Sequence, residues 1–267
     1  MTTVLVGVDR RGVASVTLDR PEVNNAYDEA MLRGLHAAID ATEASLRSES
    51  PVRCVVLRGT GRHFQAGADL SWLSAVQAGT PEENLAASEL TGTAIRRLSA
   101  LPVPVVVLVQ GACLGGGTGV LAAADVVLCG KDSVFSIAEV RWGLHASIIL
   151  PQLSDAIGPR QVRRYALTGE RFDAAEALRI GLVHDVVERD MLEVRGAEVI
   201  EAILASGPGA VTVTKRLARG LSRTATADWC FDRLVVEHST SRQSAEAHEG
   251  LNAFLQKRPP AWAPSHR

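Results

Sequence analysis

The sequence lacks the features that would place it in several familiar functional classes. Its formal net charge is −2 with no basic cluster, so nucleic acid is not an expected partner. Its four cysteines, Cys54, Cys113, Cys129 and Cys230, contain no C-x-x-C pair, and three lie in apolar runs. They read as buried thiols of a reducing compartment rather than disulfides or zinc ligands. The longest apolar run, "VPVVVLV" from Val103, falls far short of the roughly 20 residues a membrane helix needs. The start, "MTTVLVGVDRRG", carries charge early and has no long apolar region of the signal-peptide kind. A soluble cytoplasmic protein is expected. Neither G-x-G-x-x-G nor G-x-x-x-x-G-K-[ST] occurs, nor does H-E-x-x-H, so no nucleotide cofactor, redox group or metal is implied. Internal repeats and low-complexity segments are also absent.

What is present points to one large α/β unit with an appendage. The chain has 267 residues, and 46% of them are hydrophobic, enough for a sizeable core. "VLVGVDRRGVASVTLDRP" predicts two short strands around a turn at Arg10–Gly12, ended by Pro21. Met31, Leu35, Ala38, Ile39 and Thr42 recur with helical spacing between Asp28 and Arg47. "VRCVVLRG", "VPVVVLVQG" and "ADVVLCG" predict buried strands, with a loop over "TGRHFQAGADL" and a helix from Pro81 to about Ser99. Strands alternating with helices imply a buried, largely parallel sheet. From about Gly207 onward only helical patterns occur, before a proline-rich tail expected to be irregular. The expected division is a core over 1–206 and a helical region over 207–267.

Two stretches carry candidate chemistry. "GACLGGGTG", Gly111 to Gly119, follows a buried strand and leads into small residues. Glycines at such a place let backbone N–H groups approach a ligand, and a helix N-terminus favours negative charge there. Close helix–strand packing would ask for the same glycines. The second stretch, "HFQAGADL", His63 to Leu70, also follows a buried strand and has a small–Gly–small centre. Two such loops can each offer one N–H to a single oxygen, the arrangement that polarises a thioester carbonyl and holds an enolate.

These stretches, with "LDRPEVNNAYDEAM", "FSIAEVRWGL", "AIGPRQVRRYALTGERFDAAEALRIGLVHDVV" and "EGLNAFLQKRPPAW", resemble the enoyl-CoA hydratase/isomerase (crotonase) superfamily over nearly the whole chain. The resemblance implies an α/β spiral of ββα turns with a C-terminal helical region that forms trimers, often paired into hexamers. It places the oxyanion hole on the N–H groups of Ala68 and Gly116, beside Gly115. It lays the coenzyme A of an acyl-CoA substrate over Asn25–Ala26 and along Ala66, Gly67, Asp69 and Leu70. Phe254 and Lys257 resemble residues that reach a neighbouring subunit's coenzyme A, although a core aromatic and a solvated lysine would look the same.

Ordinary hydratases of the family use two glutamates. One is matched by Glu139; the other falls at position 119, which here is Gly119. The space there is expected to be filled by substrate or by held water. One carboxylate suits several outcomes: a hydratase in which Glu139 alone handles water and the α-proton, a Δ3,Δ2-enoyl-CoA isomerase, or a non-catalytic member binding coenzyme A or a partner. The run "GLHASIILPQL", paired with the GGG-x-G stretch, resembles bacterial hydratases acting on 3-methylglutaconyl-CoA and isohexenylglutaconyl-CoA. The family's I-P-A is replaced by His145-Ala146-Ser147, which frees the local φ and is expected to widen the acyl pocket. A glutaconyl substrate carries a second carboxylate, for which Arg141 and His145 are the nearest cations. Arg141 suits a surface salt bridge slightly better. His63 and His184 are expected to be structural or solvated.

Overall fold

The structure, a computed structural model, describes residues 2–142, 144, 146–221, 245, 249, 253, 256–259 and 261. His145 and Phe254 therefore lie outside the described residues, as does Cys230.

The chain opens with strands β1 (Val4–Val8) and β2 (Val13–Leu18), paired antiparallel with Val4 opposite Leu18. The turn between them is built by Asp9, whose carboxylate accepts from Arg11 N at 2.8 Å and Val13 N at 3.0 Å. Helix α1 (Glu29–Ser45) is capped by Asp28, which accepts from Met31 N, and buries Met31, Leu32, Leu35, Ala38, Ile39 and Thr42. That stripe is the spacing expected from the sequence. Strands β3 (Cys54–Gly59), β4 (Val105–Val109), β6 (Val126–Gly130) and β9 (Asp185–Val187) continue the sheet in parallel, in the order β1-β2-β3-β4-β6-β9.

Both faces of this sheet are covered, which explains the unbroken apolar runs. Val55, Leu57, Val105, Val107 and Val109 join the core shared with α1. The alternate residues Cys54, Val56, Val106 and Leu108 meet Leu192, Ile200 and Leu204 of helix α7 (Leu192–Leu204).

A second, smaller layer repeats turn by turn. After β2 the chain reaches Tyr27, which pairs with Ala68, and then enters α1. After β3 it reaches Gln65, which pairs with Cys113, and then enters α2 (Leu70–Ala78) and α3 (Pro81–Ala100). After β4 comes β5 (Ala112–Leu114) and helix α4 (Gly116–Ala123). After β6 comes β7 (Val134–Ser136), parallel to β5, and then α5 (Leu150–Thr168). Strand β8 (Phe172–Asp173) pairs antiparallel with β7. Each turn is strand, short strand, helix, which makes an α/β spiral.

The loop expected over "TGRHFQAGADL" holds as far as Asp69, after which the chain forms α2, a helix the apolar spacing does not announce. Asp69 starts it by accepting from Ser71 N and Trp72 N. Helix α3 carries a capping box between Thr80 and Glu83. Helix α5 breaks at Gly158, φ 74°, next to Pro159. Helices α6 (Ala174–Ile180) and α8 (Pro208–Leu221) complete the described helical elements. The latter docks through Lys215, whose buried ammonium donates to Val103 O at 2.9 Å and pairs with Asp125 at 2.6 Å.

Candidate active site

The short second strands of successive turns bring the candidate residues together. The segment from Phe64 to Asp69 is laced to its neighbours by backbone hydrogen bonds. Phe64 N donates to Gln110 O, Gln65 N to Ala112 O, Ala66 N to Asn24 O and Asp69 N to Tyr27 O, while Gly67 O accepts from Tyr27 N. Gly67 turns the chain with φ +87°, and its α-carbon lies so close to Leu114 that a Cβ would stand 3.1 Å from the Leu114 carbonyl oxygen. Ala68 N is left over: no acceptor among the described residues meets it.

The partner loop does the same. Gly115 N donates to Ser136 O at 2.8 Å and Thr118 N to Gly115 O at 2.9 Å, while Gly116 N, at the first position of α4, has no acceptor among the described residues. Helix dipole and free N–H act together at that end and favour negative charge.

The glycines between these loops are filled rather than empty. Gly115 has φ +51°, and a Cβ on it would lie 3.3 Å from Glu139 Oε1. A Cβ on Gly116 would come within 2.7 Å of the Tyr27 hydroxyl, and one on Gly117 within 2.6 Å of Gln65 Oε1 and 3.0 Å of Cys113 Sγ. At Gly119 the neighbour is Ile149: a Cβ there would approach Ile149 Cβ at 2.7 Å and Ile95 Cδ1 at 3.3 Å. The space beside Gly119 is thus taken by an isoleucine from the turn before α5. This overturns the expectation that substrate or water fills it.

Glu139 opens a 3₁₀ turn, Glu139–Trp142, held by Arg141 N donating to Ala138 O and Leu144 N to Glu139 O. Its carboxylate points back at Gly115, and its buried Oε2 has no hydrogen-bond partner among the described residues. Burial pushes the carboxyl above its usual range, opposed only by its own backbone N–H. Tyr27 sits across from it, edge-on to Trp72 with ring centroids 5.9 Å apart. Burial, and then the charge of Glu139, push its phenol up, so it stays protonated.

The other candidate residues divide into those that build the loops and those that stand apart. Asn25, at φ 56° and fully buried, spends its side chain on Arg20 N, Thr60 O and His63 O. Ala26 is buried, and its carbonyl accepts from Arg20 Nη1 at 2.6 Å. Asp69 caps α2 and accepts from Arg20 Nη2 at 3.1 Å. Burial raises its carboxyl, but those bonds more than offset this and leave it below the usual range. Ala66 is half-buried and Leu70 exposed, at the outer edge of the same loop. Arg141 lies over Gly169, its Nε donating to the carbonyl there at 2.7 Å, so part of its donor set closes the end of α5. Lys257 is exposed on a turn at φ 53°. His63 and His184 are structural: their Nδ1 atoms accept from Ala112 N and Val127 N at 2.9 Å each.

Tyr27 and Ile149 are the neighbours that sequence reasoning did not single out. Both meet glycines across long stretches of chain, and neither occupies a motif position with a chemical signature.

Chemically, two acceptor-free N–H groups and one buried, basic carboxylate can hold charge on a carbonyl oxygen and move a proton at a neighbouring carbon. No cluster of three or more His, Cys, Asp or Glu side chains able to hold a metal occurs among the described residues. No helix among them is long and apolar enough to cross a membrane.

Comparison with known proteins places this geometry. Residues 9–265 match the family described as enoyl-CoA hydratase/isomerase. The chain is 32% identical to the mevalonyl-coenzyme A hydratase sidH of Aspergillus fumigatus, covering 98% of this chain and 95% of that one. It is 28% identical to a mitochondrial Δ(3,5)-Δ(2,4)-dienoyl-CoA isomerase of Dictyostelium discoideum, over 94% of this chain and 88% of that one. The crystal structure of an enoyl-CoA hydratase from Shewanella pealeana superposes with a TM-score of 0.91 at 33% identity, covering 97% of this chain and 96% of that one.

Proposed function

This chain belongs to the enoyl-CoA hydratase/isomerase family and is an enzyme of that lyase-or-isomerase type; from that premise we propose that it adds water to a branched, glutaconyl-type 2-enoyl-CoA thioester. The observation that supports the proposal is the close approach of the two loops at Gly67 and Gly115, with the Glu139 carboxylate against Gly115 and no acceptor among the described residues for Ala68 N or Gly116 N. The thioester oxygen accepts from the two N–H groups. Glu139 takes a proton from water, the water oxygen bonds to the β-carbon, and the π electrons move onto the thioester oxygen as an enolate. The same carboxyl then returns its proton to the α-carbon, so one water is added across the double bond and the enzyme is restored. A carboxyl raised by burial suits both halves of this exchange.

The glutaconyl class rests on the resemblance of the GGG-x-G and 139–151 segments, with 3-methylglutaconyl-CoA and isohexenylglutaconyl-CoA as named candidates. Arg141 and His145 are the cations proposed for the second carboxylate. Coenzyme A is proposed to lie along Asn25–Ala26 and Ala66–Leu70, with Phe254 and Lys257 reaching a neighbouring subunit's coenzyme A. Trimers, or pairs of trimers, are proposed to form through residues beyond 207, and light scattering at micromolar concentration would show the mass.

The single carboxylate also supports a Δ3,Δ2-enoyl-CoA isomerase, since one group can carry a proton from carbon to carbon. A panel of crotonyl-CoA, 3-methylglutaconyl-CoA and a 3-enoyl-CoA, incubated in ¹⁸O-labelled water and read by product mass together with chromatographic retention against isomer standards, separates the two. Label in the product supports hydration; double-bond migration without label supports the isomerase. No product from any member of the panel favours a role in binding coenzyme A or a partner.

A further inference from the structure

We propose that the Tyr27 hydroxyl is a third donor to the thioester oxygen, beside Ala68 N and Gly116 N. The inference deepens the hydratase reading and rests on the enolate that reading invokes.

Tyr27 is bound into the oxyanion loop by its own backbone: its N–H donates to Gly67 O at 2.8 Å and its carbonyl accepts from Asp69 N at 2.8 Å, on either side of Ala68. From there its ring crosses to the other loop. Its hydroxyl, Cε1 and Cζ would stand 2.7, 2.8 and 3.1 Å from a Cβ on Gly116. The residue thus spans both loops and carries its O–H to the first residue of α4, whose N–H has no acceptor. The hydroxyl itself has no hydrogen-bond partner among the described residues, and its ring is fixed by Trp72. A phenol that burial keeps protonated is a donor at neutral pH. Three donors without acceptors among the described residues, on the two loops that Tyr27 spans, are suited to one oxygen that carries charge. Glu139, against Gly115, keeps an Oε2 with no partner among the described residues as the acceptor for water.

The test is Tyr27→Phe, which removes one oxygen and keeps the ring. Because no described residue bonds to that oxygen, the melting temperature should stay that of wild type. The discriminating readout is binding, which needs no turnover. Acetoacetyl-CoA can bind as its enolate, whereas butyryl-CoA presents only a neutral carbonyl. Wild type should prefer acetoacetyl-CoA, and Tyr27→Phe should shrink that preference by about tenfold or more, with butyryl-CoA affinity within about twofold. Loss of one oxyanion donor should lower kcat for hydration in parallel. A wild-type protein without the preference, or a Tyr27→Phe protein that keeps it in full, overturns the assignment. If hydration is absent from the whole panel while the preference still collapses in the variant, the hydroxyl assignment stands and the hydratase reading falls. If hydration proceeds and the preference is unmoved, the reverse holds.

Discussion

Gly116 and Gly119 lie one helical turn apart on α4, both without a side chain, and their surroundings are opposite. At Gly116 the N–H has no acceptor among the described residues, and a tyrosine hydroxyl closes in on that glycine. At Gly119 the flank of the helix is sealed by Ile149 and Ile95. The first glycine keeps a donor available; the second makes room for a core side chain. A missing side chain is therefore not a vacancy, and the two ends of one glycine run serve different links in the chain from sequence to function. In the proposed reaction the first turn of α4 supplies a donor, and its second turn serves packing.

The comparison is broken most strongly at its chemical end. Glu139→Gln should lower kcat by about 10²–10⁴-fold while acyl-CoA affinity stays within a few-fold, because it removes the acid/base and keeps the shape. Steady-state kinetics beside a binding titration checks this, and near-normal turnover would remove Glu139 from the mechanism. Gly116→Pro deletes the N–H and should cost roughly 2.7–4 kcal/mol of transition-state stabilisation. Proline is tolerated at the first position of a helix, but its Cβ meets Tyr27, so circular dichroism must show the fold intact before the rate is read.

At the packing end the expected effect is on stability. Gly119→Ala should destabilise by about 1–3 kcal/mol, since Ile149 must move. The same change in an Ile149→Ala background should cost clearly less, and additive losses in denaturant melts would disprove the contact. Gly119→Glu is then expected to disrupt this turn rather than to restore a two-glutamate hydratase.

The smallest effect concerns pH. The folded-state pKa of Glu139 is raised, so the folded protein binds that proton more tightly than the unfolded chain. Keeping Glu139 charged therefore costs stability above the raised pKa, and the cost fades as pH falls through that pKa toward the ordinary carboxylate range. Glu139→Gln should melt slightly higher than wild type near pH 8, with the gap narrowing toward pH 5. A gap that widens on acidification contradicts the burial argument.

Much of the fold is legible in the chain. The strands β1 to β4 and β6 and the helices α1 and α3 fall where apolar spacing, caps and prolines place them, because those signals are local. Helix α2 is not legible in that way: its nine residues are short, and it begins because Asp69 turns its carboxylate onto Ser71 and Trp72. The break in α5 is marked by Gly158–Pro159, yet the helix resumes because its buried face continues through Val162 and Tyr165. Glu139 and the two donor loops are legible as motifs, whereas the company they keep is not.

The residue pattern alone determined the alternation of buried strands with helices and the two glycine-bearing loops, while the resemblance to the family singled out Glu139 and position 119. Those are properties of neighbours in sequence, where periodicity and backbone freedom leave a direct mark. Only the tertiary structure decided that Tyr27 reaches Gly116, 89 positions further along the chain, and that Ile149, 30 positions beyond Gly119, fills its flank. Such contacts depend on how successive turns of the spiral stack, and close packing between distant segments leaves no periodic trace in either one.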